Sequence, residues 1–195
     1  MEKLTLRDVR DLAAYEEARD RVRPGVIALK ARRRVALGDR ISLVFENRET
    51  ALSQVQEMLR VERIVDPEKI QFEIDTYNML IPEPGQLSAT LFIEITDEAD
   101  IRRELDRLIG LDRPGMLYLD LGGAGRVDAL FEEGHSKEER ISAVHYVRFP
   151  FTSAQRAQFL QPTGAIALVA SHPNYQARAQ LSETTRLALA EDLIR

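Results

Sequence analysis

Leu87, Ala89, Leu91, Ile93 and Ile95 recur at every second position. A two-residue apolar period is the signature of a long strand with one face on a core. Leu117, Leu119 and Leu121 repeat the pattern, and Gly122-Gly123-Ala124-Gly125 then leads straight into Val127, Ala129 and Phe131. Another alternating stretch runs from Ile141 to Phe149. The connections between these later strands are too short to hold crossover helices, and only antiparallel neighbours can be joined by tight turns. Ile41, Leu43 and Phe45 supply an earlier strand, preceded by a turn at Gly38-Asp39, and Ala165 to Ala170 a strand apolar on both faces. The expected fold is therefore of the α+β class, a mixed, mainly antiparallel sheet of about six strands with flanking helices.

The helices announce themselves by their caps. Thr5-x-x-Asp8 can cap a helix running to about Val22, and Pro24 reads as the first position of a second helix ending in Arg32-Arg33-Arg34. Residues 1–34 are thus expected to form a helical lead-in packed on the sheet, within one domain spanning 1–195. Asn47 suits the N-cap of a helix from Arg48 to about Val65, and Asp66-Pro67 opens another carrying Ile70, Ile74, Tyr77 and Ile81. Thr96-Asp97-Glu98 starts a helix with Ile101, Leu105, Leu108 and Ile109 on one stripe. Thr152-x-x-Gln155 is a capping box, and Ser182 caps a terminal helix with Leu187, Ala190 and Ile194.

Composition narrows the chemistry. The 195 residues include no cysteine, which excludes disulfides, thiolate metal sites, cysteine-ligated iron–sulfur clusters and thiol nucleophiles. No run reaches the roughly 18 apolar residues of a membrane span, and the N-terminus lacks a hydrophobic signal core, so a cytoplasmic protein with no membrane partner is expected. Net charge is -5, yet residues 1–65 hold 14 basic against 11 acidic side chains. The basic stretch from Arg19 to Arg34 contains no aromatic residue to stack on bases, which argues against nucleic acid. The glycine cluster at 122–125 is followed by a strand and by no Gly-Lys-Ser/Thr, so a hairpin turn explains it better than a phosphate cradle. No nucleophile elbow, His-Glu-x-x-His or calcium loop is present.

A few residues stand out as candidates for a site. His145 shares a strand face with Ile141, Ala143, Val147 and Phe149, so alternation aims it at the core while Tyr146 and Arg148 face the other way. His135 sits in a Gly-His-Ser-Lys loop, and His172 precedes Pro173 in a turn. A metal site built from His145, His172 and carboxylates would lack a characteristic spacing. Glu62 falls within the apolar arc of Leu52, Val55, Met58, Leu59 and Val61, where a carboxylate needs a partner or a route to water at the helix end. Glu46 and Arg48 flank Asn47 at a strand-to-helix junction, where free helix N–H groups and an arginine favour anions, although capping explains the same residues.

Several segments taken together resemble a known bacterial family. They are Val26-Ile27-Ala28-Leu29-Lys30 with Arg32-Arg33-Arg34-Val35, Phe45-Glu46-Asn47-Arg48, and Gln54 through Gln56-Glu57-Met58 to Arg60. Tyr77-Asn78 with Leu80-Ile81-Pro82, Leu87-Ser88-Ala89-Thr90-Leu91 and Val144-His145-Tyr146-Val147-Arg148-Phe149 complete the set. The chain is similar over nearly its whole length to the domain-of-unknown-function family 3501. No activity attaches to that family. Its genes lie near rubrerythrin-like proteins and oxidoreductases carrying flavin or iron–sulfur centres, and the resemblance therefore implies an accessory role in a redox system. The chain lacks the helical Glu-x-x-His pairs of a di-iron bundle, so any metal chemistry should reside in such a partner. The sequence leads to a non-catalytic, partner-binding accessory protein, with its cofactors unknown. The alternative is a small-molecule-binding protein or enzyme whose polar pocket uses Glu46, Arg48, Glu62, Tyr77, Asn78, His145 and Arg148. A homodimer is expected only from the frequency of twofold assemblies.

Overall fold

The computed structural model describes residues 1–132, 136–137, 140–161 and 164–194; His135 lies outside them. In chain order the elements are α1 (Leu12–Arg33), β1 (Arg34–Leu37), β2 (Ile41–Glu46), α2 (Arg48–Glu62), α3 (Pro67–Asn78), β3 (Gln86–Ile93) and α4 (Ile101–Arg107). There follow β4 (Leu117–Asp120), β5 (Arg126–Asp128), β6 (Leu130–Phe131), β7 (Ser136–Lys137), β8 (Arg140–Ile141) and β9 (Val144–Pro150). The chain then forms α5 (Ser153–Leu160), β10 (Ala167–His172), β11 (Tyr175–Gln180) and α6 (Glu183–Ile194). The fold is α+β, with a helix near the N-terminus and two antiparallel sheets. Among the described residues no helix is long and apolar enough to cross a membrane.

The strands expected in one sheet are divided between two. The first has the order β1-β2-β3-β9-β6 and the second β11-β10-β4-β5, with β7 and β8 forming a separate two-residue ribbon. Alternation places Phe45, Leu91, Val147 and Phe149 on the inner face of the first sheet, and Leu117, Leu119 and Leu168 on that of the second. One apolar cluster unites these faces and is extended by Phe159 of α5 and Leu189 and Leu193 of α6. Tyr175 ties the sheets at one corner: its hydroxyl donates to the Leu37 carbonyl at 2.5 Å and accepts from the Arg40 N–H at 3.2 Å. Gly38 lies at φ 72° beneath that phenol, so both its backbone and the Tyr175 ring exclude a side chain. A second cluster, Leu4, Ala51, Val55, Leu59, Ile74 and Ile81, packs α2 on α3 and the N-terminal segment.

Two helix expectations need correction. Thr5 and Asp8 do form a capping box, but only for one 3-10 turn, Leu6–Asp8. The long helix starts afresh at Asp11, whose side chain accepts from the Ala14 N–H at 2.8 Å. It then runs unbroken through Pro24 to Arg33. Pro24 is exposed, so water can satisfy the carbonyl one turn earlier that its missing N–H leaves free. Packing at both ends, through Tyr15 and Ala18 and through Leu29 and Arg33, holds the helix across the break.

Arg33 ends α1 with its guanidinium in the interior, 2% exposed. It donates to the carbonyls of Phe45 at 2.8 Å, Glu46 at 3.3 Å and Ala188 at 3.2 Å, and pairs with the buried Asp192 carboxylate. It therefore fastens α1 to β2 and α6 at once. Earlier in α1, Arg19 and the Tyr15 hydroxyl both donate to Glu57 of α2 at 2.8 Å, and Arg60 reaches the same carboxylate at 3.1 Å. The Arg19 bond above all lowers Glu57 from its ordinary 4.5 to about 2, against an opposing effect of burial. Burial, reinforced by Glu57, pushes Tyr15 up to about 12.

Removing one member of a buried pair strands the other charge. Arg33→Met is expected to cost about 3–5 kcal/mol in urea unfolding, and Arg33→Met/Asp192→Leu to recover part of that loss. Because Glu57 is ionised more readily in the folded protein than in the unfolded chain, its contribution is complete above pH 4.5 and declines as pH falls toward 2. Thermal melts across that window should show a shallower acid loss for Glu57→Gln than for the wild type; equal slopes would contradict this pairing.

Candidate functional site

On β2 the alternation that buries Phe45 inward turns Glu46 to the other face of the first sheet. Register sets Glu46 opposite Ser88 of β3, and Ser88 opposite Arg148 of β9. The neighbouring row is Val44, Thr90 and Tyr146. This face is covered at Glu46, which is only 2% exposed. Its carboxylate accepts from the Thr90 hydroxyl at 2.6 Å and from the Gln54 amide of α2 at 3.2 Å. Both donors are neutral, and among the described residues no cation pairs with it. Arg33 touches Glu46 only at the backbone carbonyl.

Two phenols share the field of this carboxylate. Tyr77 is raised first by burial, then by Tyr146, Glu73 and Glu46. Tyr146 is raised first by burial and then by Glu132 and Glu46. Beside them a cleft of about 260 Å³ opens between the end of α3 and strands β6 and β9. Ser88, Tyr146, Arg148 and Glu132 supply its polar lining, and Met79, Leu130 and Phe131 most of its apolar lining. The Arg148 guanidinium donates to the Met79 carbonyl at 3.2 Å and has no carboxylate partner among the described residues.

Of the residues singled out in the sequence, the structure thus gathers Glu46, Tyr77 and Arg148 on one side of the first sheet. It does not bring the other four to them. Asn78 pins the N-terminal segment, accepting from the Leu4 N–H at 2.7 Å and donating to the Leu4 carbonyl at 3.0 Å. Arg48 pairs with Asp8 at 2.5 Å, which lowers the Asp8 carboxyl, while the buried Nε of Arg48 has no hydrogen-bond partner. Glu62 is exposed at the end of α2, where the left-handed Arg63 terminates the helix. His145 is buried on the opposite, inner face of the sheet, its Nε2 donating to the Ser142 carbonyl at 2.8 Å and its ring edge-on to Phe131. Glu62 and His145 therefore do not pair. His172 belongs to the second sheet, donating from Nε2 to the Ile109 carbonyl at 3.0 Å and accepting from the Asn174 N–H at Nδ1. The sequence reading missed Gln54, Ser88, Thr90 and Glu132. The polar members of the outward half of each alternating strand were the available signal.

A larger groove, about 440 Å³, runs between α1 and α2. Tyr15, Val22, Val26 and Leu29 line it from α1, and Leu52 and Gln56 from α2. From Tyr15 to Arg32 this stripe extends about 25 Å along the helix. Asp8, Arg10, Arg32 and Glu49 also line it. Asp8 is matched by Arg48, whereas Arg10 and Arg32 have no ion-pair partner among the described residues. Arg21, Arg23 and Lys30 of α1 are likewise without ion pairs there.

Comparison with known proteins places these features in a family. A crystal structure of a novel protein of unknown function from Burkholderia pseudomallei is similar, with 33% identity and a TM-score of 0.90 over 98% of this chain and 100% of that one. No curated protein matches the chain. The family described as Protein of unknown function (DUF3501) matches residues 3–193. With a match of that extent, the chain belongs to the DUF3501 family.

Proposed function

We propose that this is a non-catalytic accessory protein that works by docking a partner, with the α1–α2 groove receiving an acidic amphipathic helix of that partner. The observation that carries the reading is the groove itself: an apolar floor following one face of α1 for about 25 Å, bordered by Arg10 and Arg32, which have no ion-pair partner among the described residues. An amphipathic helix laid in such a groove buries its apolar stripe on Val22, Val26, Leu29 and Leu52. Acidic residues on its flanks meet the bordering arginines and the further cations of α1, which speeds encounter and fixes orientation. Glu49 opposes such a helix locally, and the cations outnumber it. The class of partner follows from the redox association that the family resemblance implies. A rubrerythrin-like bundle or a flavin or iron–sulfur oxidoreductase is the protein to test, since a helical bundle presents helices of the required length.

The test is calorimetric titration of the full chain with a purified rubrerythrin-like protein from the same source. Saturable binding that weakens about tenfold or more in Val26→Glu, and not in Ala28→Glu on the exposed side of the same helix, is the expected result. Absence of heat with the wild type, or equal affinity in Val26→Glu, would overturn the reading. The affinity should also fall with added salt, because the bordering charges are solvent-exposed.

A further inference from the structure

The α1–α2 groove has a third contributor, because Asp8 and Arg10 of the N-terminal segment also line it. That segment is fastened at two points by side-chain amides that bond its backbone in both directions. Asn78 of α3 clamps Leu4 in this way, and Gln56 of α2 accepts from the Arg10 N–H at 2.8 Å and donates to the Arg10 carbonyl at 3.1 Å. Leu4 is also buried in the apolar cluster of α2 and α3, and the Lys3 ammonium reaches the Asn78 and Ile81 carbonyls. Between these anchors the hold is slight. Thr5, Leu6 and Arg7 are exposed, and the only regular structure is the 3-10 turn Leu6–Asp8. Among the described residues, the one side-chain hydrogen bond or ion pair from Thr5–Asp8 to the rest of the fold joins Asp8 to Arg48. Both of those side chains keep contact with water, at 24% and 31% exposed, so the pair is a weak latch.

We propose that Thr5–Asp8 is an autoinhibitory flap that lifts when the groove is filled, withdrawing Asp8 and handing Arg48 to an acidic side chain of the docked helix. This rests on the docking reading and states how that site is regulated. Charge supplies the reason. With the flap down, Asp8 and Glu49 cancel Arg10 and Arg32, so the four charged residues of the lining sum to zero. With it lifted, Arg10, Arg32 and Arg48 stand against Glu49 alone, and an acidic helix is attracted. Arg48 is prepared for the exchange. Asp8 engages its Nη2 only, while the neighbouring Nε is buried without an acceptor among the described residues. A glutamate arriving side-on accepts from Nε and Nη2 together, a geometry that a planar guanidinium favours over a single bond. The chain's own acid thus stands in for the partner's, and a neutral or basic helix gains nothing by displacing it. Because the clamps at Leu4 and Arg10 hold both ends, lifting unwinds the 3-10 turn and the flap closes again when the groove empties.

The probe is a synthetic amphipathic peptide of about 18 residues, long enough to follow the groove, with leucines at helical spacing and glutamates on both flanks. Titrated into the full chain by calorimetry, it should bind Asp8→Asn about tenfold more tightly than the wild type. Asparagine keeps an oxygen for the Thr5 N–H and drops both the charge and the latch. Arg48→Gln releases the same latch but removes the cation, and should bind no more tightly than the wild type. Hydrogen exchange separates lifting from the mere loss of an acid. When the peptide binds the wild type, the Thr5, Asp8 and Val9 amides, bonded within the closed turn, should exchange about tenfold faster while α1 and α2 become protected. Unchanged or slower exchange at those three amides would overturn the proposal and leave the docking reading standing. Equal affinity of Asp8→Asn and the wild type, or Arg48→Gln binding as tightly as Asp8→Asn, would do the same. Binding to none of the three proteins would overturn both.

Discussion

Arg33 sits where the N-terminal helix becomes the first strand, and it turns its guanidinium away from solvent into the junction of three elements. A planar group with five donors can serve several acceptors at once, and here it takes three backbone carbonyls from β2 and α6 together with the Asp192 carboxylate. Those carbonyls belong to the end of β2 and to α6, and they would otherwise be buried polar groups with fewer partners. The remaining architecture hangs on this junction. It fixes the far end of α1, so that the helix crosses Pro24 without breaking and stays alongside α2, with the Tyr15–Glu57–Arg19 network holding the near end. The space left between these two fastenings is the α1–α2 groove.

The same junction also fixes the end of β2. By binding the Glu46 carbonyl, Arg33 holds the backbone that aims the Glu46 side chain at the opposite face of the sheet, yet the guanidinium is already matched by Asp192. The neutral donors Thr90 and Gln54 orient the carboxylate without cancelling its charge.

Local periodicity made much of this legible. The alternation in β3 and β9 gave the strand faces, and it gave the inward aim of His145 and the outward aim of Arg148 without any structural knowledge. Asn47 and Asp66 cap where their side chains suggested, and Gly122–Gly125 turns β4 into β5. What could not be read is long-range. Tyr175–Gln180 forms β11 from small residues alternating with Gln and Arg, a pattern too weakly apolar to stand out, and with it went the division into two sheets. The partner of Glu46 could not be read either, because Thr90 and Gln54 meet it only through register and helix packing. Glu62 falls within an apolar arc on a helical projection, and of the two outcomes this left open, a buried partner or a route to water, the end of α2 provides the second. Arg33 read only as one of three arginines ending a helix, since nothing local distinguishes it from Arg32 and Arg34.

The central claim is that the face between α1 and α2 is the working surface of the protein. Hydrogen exchange of the chain, alone and with saturating rubrerythrin-like partner, addresses it most directly, because a helix seated in the groove must slow exchange on both walls. The account predicts added protection in Tyr15–Arg32 and in Glu49–Gln56, with β10 and β11 unchanged. Protection confined to other elements, or none at all under conditions where a complex forms, would contradict it.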